Sequence, residues 1–264
     1  MPARLRSRAL PALAALALLG SCTPSTPAPT RSAGASATPR DEAGQVETLR
    51  VEVAAGEVTL EVAVPGATPD DPRVHVATDP RAGTATVSLD LAADAPATGG
   101  DDPAGSPTIT LTSGGTLEPR ADGSVTVRAG GAAVGGLSAP RGARLVAVDG
   151  THLVVRPGSD EAQDGGSTTT LGTSAVASTD WGDREGGRSL AVVPTDWARQ
   201  AGRAGTDLVW AELVASDPEV DTATMHDQLV CHAVGAPDKD AWNLEPWRPD
   251  VGLVATMAAR CNPG

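Results

Sequence analysis

From Val46 to about Arg156, apolar residues recur at every second position and alternate with polar ones. Side chains along a β-strand point to opposite faces in turn, so this pattern predicts strands that bury one face. The groups that show it are Leu49/Val51/Val53, Val58/Leu60/Val62/Val64, Val87/Leu89/Leu91, Ile109/Leu111, Val125/Val127, Val146/Val148 and Leu153/Val155. The last two groups flank Asp149-Gly150, a hairpin turn signal. The sequence therefore predicts an all-β, antiparallel sheet or sandwich-like region over residues 46–157.

Beyond residue 178 the pattern predicts helices beside strands. "RSLAVVPT" has the character of a strand, and "TDLVWAELVAS", "TMHDQLVCHAV" and "VGLVATMAAR" are helix candidates. In the second of these, Met225, Leu229 and His232 fall on one face. All five tryptophans lie after residue 180, and the chain has no Phe or Tyr. This jump in aromatic content predicts a separate α+β domain over residues 178–264, joined to the β-rich region by a linker over 158–177.

The first 21 residues have the features of a secretory signal peptide. Three arginines precede an apolar run from Ala9 to Leu19, which as a helix rises only about 16 Å and is too short to span a bilayer. The run ends in Leu19-Gly20-Ser21-Cys22, which resembles a bacterial lipobox and implies cleavage before Cys22 and lipidation of its thiol. The alternative is an ordinary signal peptide with a chance cysteine.

Residues 22–45, rich in Pro, Ser, Thr and Ala, have no apolar periodicity and are predicted to be a disordered tether. Lipid anchor and tether together predict an extracytoplasmic protein held at the outer face of the bacterial cell membrane. In that oxidising setting Cys231 and Cys261 remain as an even pair, which predicts a disulfide. The alternative is two free thiols, one of them catalytic.

Charge and motifs narrow the function classes. The formal net charge is −13, which disfavours nucleic acid as a partner. P-loop, Rossmann and GxSxG patterns are absent from the sequence. His226 and His232 are six residues apart and do not share a helix face, so we predict neither a metal site nor a cofactor. Asp180, Asp183 and Glu185 fit a solvated acidic turn better than a calcium loop.

The C-terminal stretch resembles a known family. Its spaced string comprises Asp-Gln at 227–228, Cys-His at 231–232, "WNLEP" at 242–246, Arg-Pro at 248–249 and "RCNP" at 260–263. Together with "RSLAVVPTDWAR" and "VWAELV", this string is similar to the domain of unknown function 2599 family over about Trp181 to Pro263. The family occurs in secreted and surface proteins and implies a compartment but no reaction.

Three functions remain open for this domain. A small hydrolase or toxin-like effector would use His232 as a general base with Glu245, and Arg248 as an anion clamp. A non-catalytic binding or envelope-associated module would present Trp242, Asn243 and Trp247, beside Arg248, to a protein or glycan. A purely structural spacer is the third. An enzyme requires a solvent-reachable imidazole in a concave site, whereas a binding module predicts an exposed aromatic patch and a buried, hydrogen-bonded His232.

Overall fold

The computed structural model describes residues 47–91, 105–158, 166–184 and 186–264. The predicted signal peptide, the tether and Cys22 lie outside these residues. The strands are β1 Thr48–Ala55, β2 Val58–Pro65, β3 Val74–Asp79, β4 Thr84–Asp90, β5 Thr108–Leu111, β6 Thr116–Pro119, β7 Val125–Ala129, β8 Ala132–Leu137, β9 Ala143–Ala147, β10 His152–Pro157, β11 Gly166–Gly172, β12 Val176–Arg184, β13 Gly187–Pro194 and β14 Trp242–Leu244. The helices are α1 Asp196–Gln200, α2 Gly202–Ser216, α3 Ala223–Gly235 and α4 Leu253–Ala258, with a 3₁₀ turn at Pro218–Val220.

Two antiparallel sheets form a β-sandwich. The first sheet has the order β1-β2-β5-β10-β9 and the second β3-β4-β11-β8-β7-β6. Their inner faces share one apolar core, with Leu60, Ile109 and Leu153 from the first sheet and Leu137 and Leu171 from the second. The prediction of an antiparallel, sandwich-like β region followed by an α+β part is thus confirmed.

A third sheet, in the order β12-β13-β14, packs with the helices around a second core. Leu190 of β13, Leu208 of α2, Leu229 of α3 and Trp242 of β14 are all buried there. Thr195 caps α1 by accepting a hydrogen bond from the Ala198 N–H at 3.2 Å. The cap begins the helix directly after β13, as its hydroxyl and position predict.

The helical part packs directly on the second sheet. A Cβ at Gly136 of β8 would lie 2.8 Å from the Ala204 Cβ of α2, and one at Gly172 of β11 would lie 2.2 Å from the Trp197 ring. The Trp197 indole N–H donates to the Thr170 carbonyl at 3.1 Å. Glycine at these positions therefore lets helix and indole lie against the strands, and the described residues between 47 and 264 form one compact unit.

Polar contacts reinforce this packing at the start of α2. Asp122 accepts hydrogen bonds from the Ser124 hydroxyl at 2.7 Å and from the Arg203 N–H at 2.6 Å. Asp207 of α2 accepts from the Thr126 hydroxyl at 2.8 Å. These bonds join the β6–β7 hairpin to the N-terminal turns of α2.

Two predictions need correction. Residues 166–172, expected within a linker, form β11, which pairs with β4 along its length and with β8 at its end. Ser167 and Thr169 supply part of its buried face, so its pattern is not apolar. Val146 and Val148 lie in the predicted β9–β10 hairpin but are 37% and 61% exposed, because Leu145 is the residue of β9 that faces the core.

The acidic stretch also differs from its prediction. Asp180 and Asp183 lie within β12, in a hairpin with β13, rather than in a turn. Glu185 lies outside the described residues. Within the described part of the chain, no helix is long and apolar enough to cross a membrane.

Candidate functional site

Helix α3 positions the predicted site residues of the C-terminal region. Thr222 caps it by accepting a hydrogen bond from the Met225 N–H at 3.2 Å. Its buried positions include Met225, Gln228, Leu229 and His232. The predicted apolar face is therefore the face that meets β14, and it carries two polar side chains inward.

Gln228 binds the backbone just after β14. Its side-chain amide donates to the Glu245 carbonyl at 3.0 Å and accepts from the Glu245 N–H at 3.0 Å. Gln228 is fully buried, so these bonds satisfy backbone groups that water cannot reach. Sequence reasoning missed this residue, although a glutamine between the apolar positions of a helix face is a signal for a buried polar contact.

Glu245 and Arg248 form a buried ion pair. The Glu245 side chain is 0% exposed and the Arg248 side chain 8%. The Arg248 Nε donates to the Glu245 Oε2, and its Nη1 donates to the Pro263 carbonyl at 3.2 Å. The Glu245 Oε1 is buried and accepts no hydrogen bond from any described residue. Arg248 therefore neutralises the carboxylate and links it to the end of the chain.

His232 lies one helical turn after Gln228 on α3 and contacts the backbone of β14. It is 3% exposed, and its Nε2 lies 3.0 Å from the Asn243 carbonyl oxygen. A carbonyl oxygen can only accept, so Nε2 carries the proton in this contact. The imidazole thus holds β14 against α3 through Nε2, and its basic nitrogen, Nδ1, is buried where a substrate cannot reach it.

The three predicted binding residues differ in exposure. Trp247 is 45% exposed, with the Arg248 guanidinium 4.6 Å from its ring centroid. A Cβ at Gly187 would lie 2.4 Å from the Trp247 Nε1, so the indole rests on the backbone of β13. Trp242 is 1% exposed and belongs to the core. Asn243 is half-buried, and its carbonyl is the one bonded to His232.

The predicted disulfide joins Cys231 of α3 to Cys261, with a Cα–Cα distance of 5.5 Å. It connects α3 to the segment that follows α4. Cys261 has a φ of 69°, in the left-handed region. Its N–H donates to the Thr256 carbonyl at 2.9 Å, so the bridge closes on a turn that ends α4. The chain end that supplies the Pro263 carbonyl to Arg248 follows directly.

The arrangement is poorly suited to catalysis. The His232 imidazole and the Glu245 carboxylate are buried away from solvent. His232 joins α3 to β14, and Glu245 binds Arg248. Among the described residues, no group of three or more His, Cys, Asp or Glu side chains could hold a metal ion. The part of this site that a partner can reach is Trp247, which is 45% exposed.

Comparison with known proteins shows one matching family and several relatives. Residues 176–264 match the family described as "Protein of unknown function (DUF2599)". The uncharacterized protein Rv0477 of Mycobacterium tuberculosis is 40% identical over 116 residues, which cover 41% of this chain and 77% of that protein. An uncharacterized protein of Mycobacterium leprae, ML2452, is 41% identical over 71 residues, covering 25% of this chain and 58% of that protein. No solved structure matches.

Proposed function

The chain belongs to the DUF2599 family, and we propose that it is a lipid-anchored bacterial surface protein whose C-terminal domain is a non-catalytic binding module of the cell envelope. Cys22 carries the lipid, and residues 22–45 tether the folded unit to the outer face of the membrane. The recognition surface is centred on the exposed Trp247, with the buried Arg248 supporting its ring from below, and its partner is an envelope protein or glycan.

One contrast carries this proposal: His232 and Glu245 are 3% and 0% exposed, whereas Trp247 is 45% exposed. A general base must reach its substrate within hydrogen-bond distance, which burial of both groups prevents. The hydrolase alternative therefore gains no support from the geometry. An exposed indole held rigid by packing has the features of a binding anchor, because little side-chain entropy is lost when a partner covers it.

Further exposed apolar side chains follow Trp247 along the chain. Val251, Val254 and Met257 are 44%, 85% and 40% exposed. Val254 and Met257 are three residues apart on α4, so they share a helix face. A partner that covers these side chains gains apolar contacts, and both protein and glycan ligands pack against exposed aromatic and apolar groups.

Binding can be tested by sedimenting the purified full chain with envelope fragments of the producing bacterium. We expect saturable binding that Trp247→Ala weakens about 30-fold, the equivalent of a hot spot of about 2 kcal/mol. Val148→Ala is the matched control, because Val148 is an exposed apolar residue of the sandwich. Wild-type binding that survives Trp247→Ala, or an absence of binding, contradicts the proposal.

The anchor has its own test in cell fractionation. Wild-type protein should remain with the membrane, and Cys22→Ala should either release the mature chain to the medium or leave the signal peptide uncleaved. Mass spectrometry of the N-terminus distinguishes these results, since lipidation adds mass to Cys22 itself. An unmodified Cys22 on a membrane-bound wild-type chain contradicts the lipoprotein assignment.

A further inference from the structure

A cleft of about 1200 Å³ lies at the junction of the sandwich and the C-terminal region, lined by residues different from those of the Trp247 surface. Its walls come from the β3–β4 turn, the segment after β8, β11, β12, the end of β13 and α1. The polar residues of the lining include Arg81, Arg141, Thr168, Thr170, Thr195 and Asp196.

We propose that this cleft, with its two arginines and its rows of hydroxyl groups, binds an acidic saccharide, a sugar chain that carries carboxylate groups. The proposal is independent of the proposed function, because it concerns another surface and another set of residues. It rests on three features, which are the charge of the cleft, its hydroxyl floor and its rigidity.

The charge of the cleft is the first feature. Half of the arginines on the described part of the sandwich form ion pairs with carboxylates, namely Arg50, Arg73, Arg120 and Arg128. Arg81 and Arg141 form no ion pair with any carboxylate of the described residues, and both are exposed at the cleft. Among the described residues that line the cleft, Asp196 is the one with a carboxylate, and it lies in the first turn of α1. The lining is therefore cationic in a chain whose net charge is −13, and guanidinium groups match carboxylates in geometry.

The floor supplies the second feature. Thr168 and Thr170 of β11 point out of the sandwich beside the outward residues of β4. The Thr170 hydroxyl lies 3.0 Å from that of Thr86, and the Thr168 hydroxyl 3.2 Å from that of Ser88. Each hydroxyl both donates and accepts, which suits the mixed donors and acceptors of a sugar.

The cleft is also preformed. The Thr173 N–H donates to the Gly83 carbonyl at 3.0 Å and holds the β3–β4 turn. The Thr195 hydroxyl donates to the Ser174 carbonyl at 3.0 Å, and the Trp197 indole to the Thr170 carbonyl at 3.1 Å. The Arg141 N–H donates to the Thr168 carbonyl at 3.2 Å. Walls fixed in this way spare a ligand the cost of ordering them.

Calorimetric titration of the purified full chain with trigalacturonate tests the proposal. We expect submillimolar binding that weakens as salt is raised, with Arg81→Gln and Arg141→Gln each weakening it about 10-fold, as the loss of one charge-assisted contact does. Arg144→Gln is the matched control, because Arg144 is exposed on β9 and outside the cleft lining. It should bind as the wild type does.

Two further ligands test separately whether binding depends on the carboxylate charges and on the sugar rings. The methyl ester of trigalacturonate has the same sugar rings without charge and should bind at least about 10-fold more weakly. Inorganic phosphate should bind more weakly than trigalacturonate. Absence of trigalacturonate binding, equal binding of the methyl ester, or arginine variants that bind normally overturns the proposal. Phosphate that binds as tightly as the trimer overturns the saccharide assignment.

Discussion

Gln228 and Glu245 are joined by two reciprocal hydrogen bonds of 3.0 Å each, in which a helix side chain pairs with a strand-like backbone. Gln228→Leu keeps the volume but leaves the Glu245 N–H buried without a partner. We expect the free energy of unfolding to fall by about 2 kcal/mol, within the range for an unsatisfied buried group. Chemical denaturation of the full chain measures this.

The control for that experiment is Gln200→Leu. The Gln200 amide bonds the Asp196 carbonyl of its own helix and is exposed. Its substitution should change stability by less than about 0.5 kcal/mol. Equal losses in the free energy of unfolding for the two variants would show that the hydrogen bonds of Gln228 do not stabilise the fold.

Arg248 and Glu245 allow a double-mutant cycle on the buried pair. Arg248→Met leaves an uncompensated buried carboxylate, and we expect a loss of about 3–5 kcal/mol. Adding Glu245→Met removes that charge, so the double variant should be more stable than Arg248→Met alone. Arg50 and Glu61, an exposed pair, serve as the control, with a coupling below about 1 kcal/mol. If the double variant is no more stable than Arg248→Met, the pair is not the source of the loss.

Gly172 tests the packing of the helical part on the sandwich. A Cβ there meets the Trp197 ring at 2.2 Å, whereas one at Gly166, at the start of the same strand, has nothing within 4 Å. Gly172→Ala should destabilise the chain by about 1–3 kcal/mol, as overpacking does, and change Trp197 fluorescence. Gly166→Ala should leave thermal unfolding nearly unchanged. A neutral Gly172→Ala would mean that the indole does not rest on β11.

Glu212 gives a pH dependence with a defined sign. Burial raises its pKa above the ordinary 4.5, although the Ala175 and Val176 N–H groups donate to the carboxylate and lower it. The folded protein therefore keeps this proton to a higher pH than the unfolded chain does. The contribution to stability is present below pH 4.5 and is lost as pH rises through the folded-state pKa.

Glu212→Gln removes that titration. The free energy of unfolding of the wild type minus that of the variant should decrease between about pH 4 and about pH 7. Denaturation at a series of pH values measures this difference. A difference that stays level or grows with pH would show that the folded-state pKa is not raised.

Much of the fold could be predicted from periodicity, because most strands of the sandwich bury alternate apolar residues. β11 could not, since its buried positions include Ser167 and Thr169. A hydroxyl can be buried when the backbone offers it a partner, as the Ser138 carbonyl does for Thr169 at 2.7 Å. β14 is too short for any periodicity, and its strand conformation comes from pairing with β13.

The sequence predicted part of the candidate site, and the rest depends on three-dimensional packing. The even pair of cysteines predicted the disulfide, whereas the sequence left open whether His232, on the Met225–Leu229 face, is buried or reachable by solvent. Side-chain chemistry also pointed to Glu245 and Arg248 as candidate site residues. How deeply they are buried depends on how β14, α3 and the segment around Pro263 pack together. Trp242 and Trp247 are both tryptophans and lie five positions apart. Their sequence positions do not show that Trp242 is buried and Trp247 exposed, because this difference comes from three-dimensional packing.

The solvent accessibility of His232 tests the central claim most directly. Diethyl pyrocarbonate acylates reachable imidazoles, and peptide mass spectrometry measures the rate at each histidine of the native full chain. His75 is exposed on β3 and serves as the internal reference.

We expect His75 to react at least about 10-fold faster than His232, because buried groups react only through opening of the structure. Denaturant should remove that difference. If His232 reacts as fast as His75 in the native protein, the imidazole is open to solvent, and the view that His232, Glu245 and Arg248 hold the fold together is contradicted.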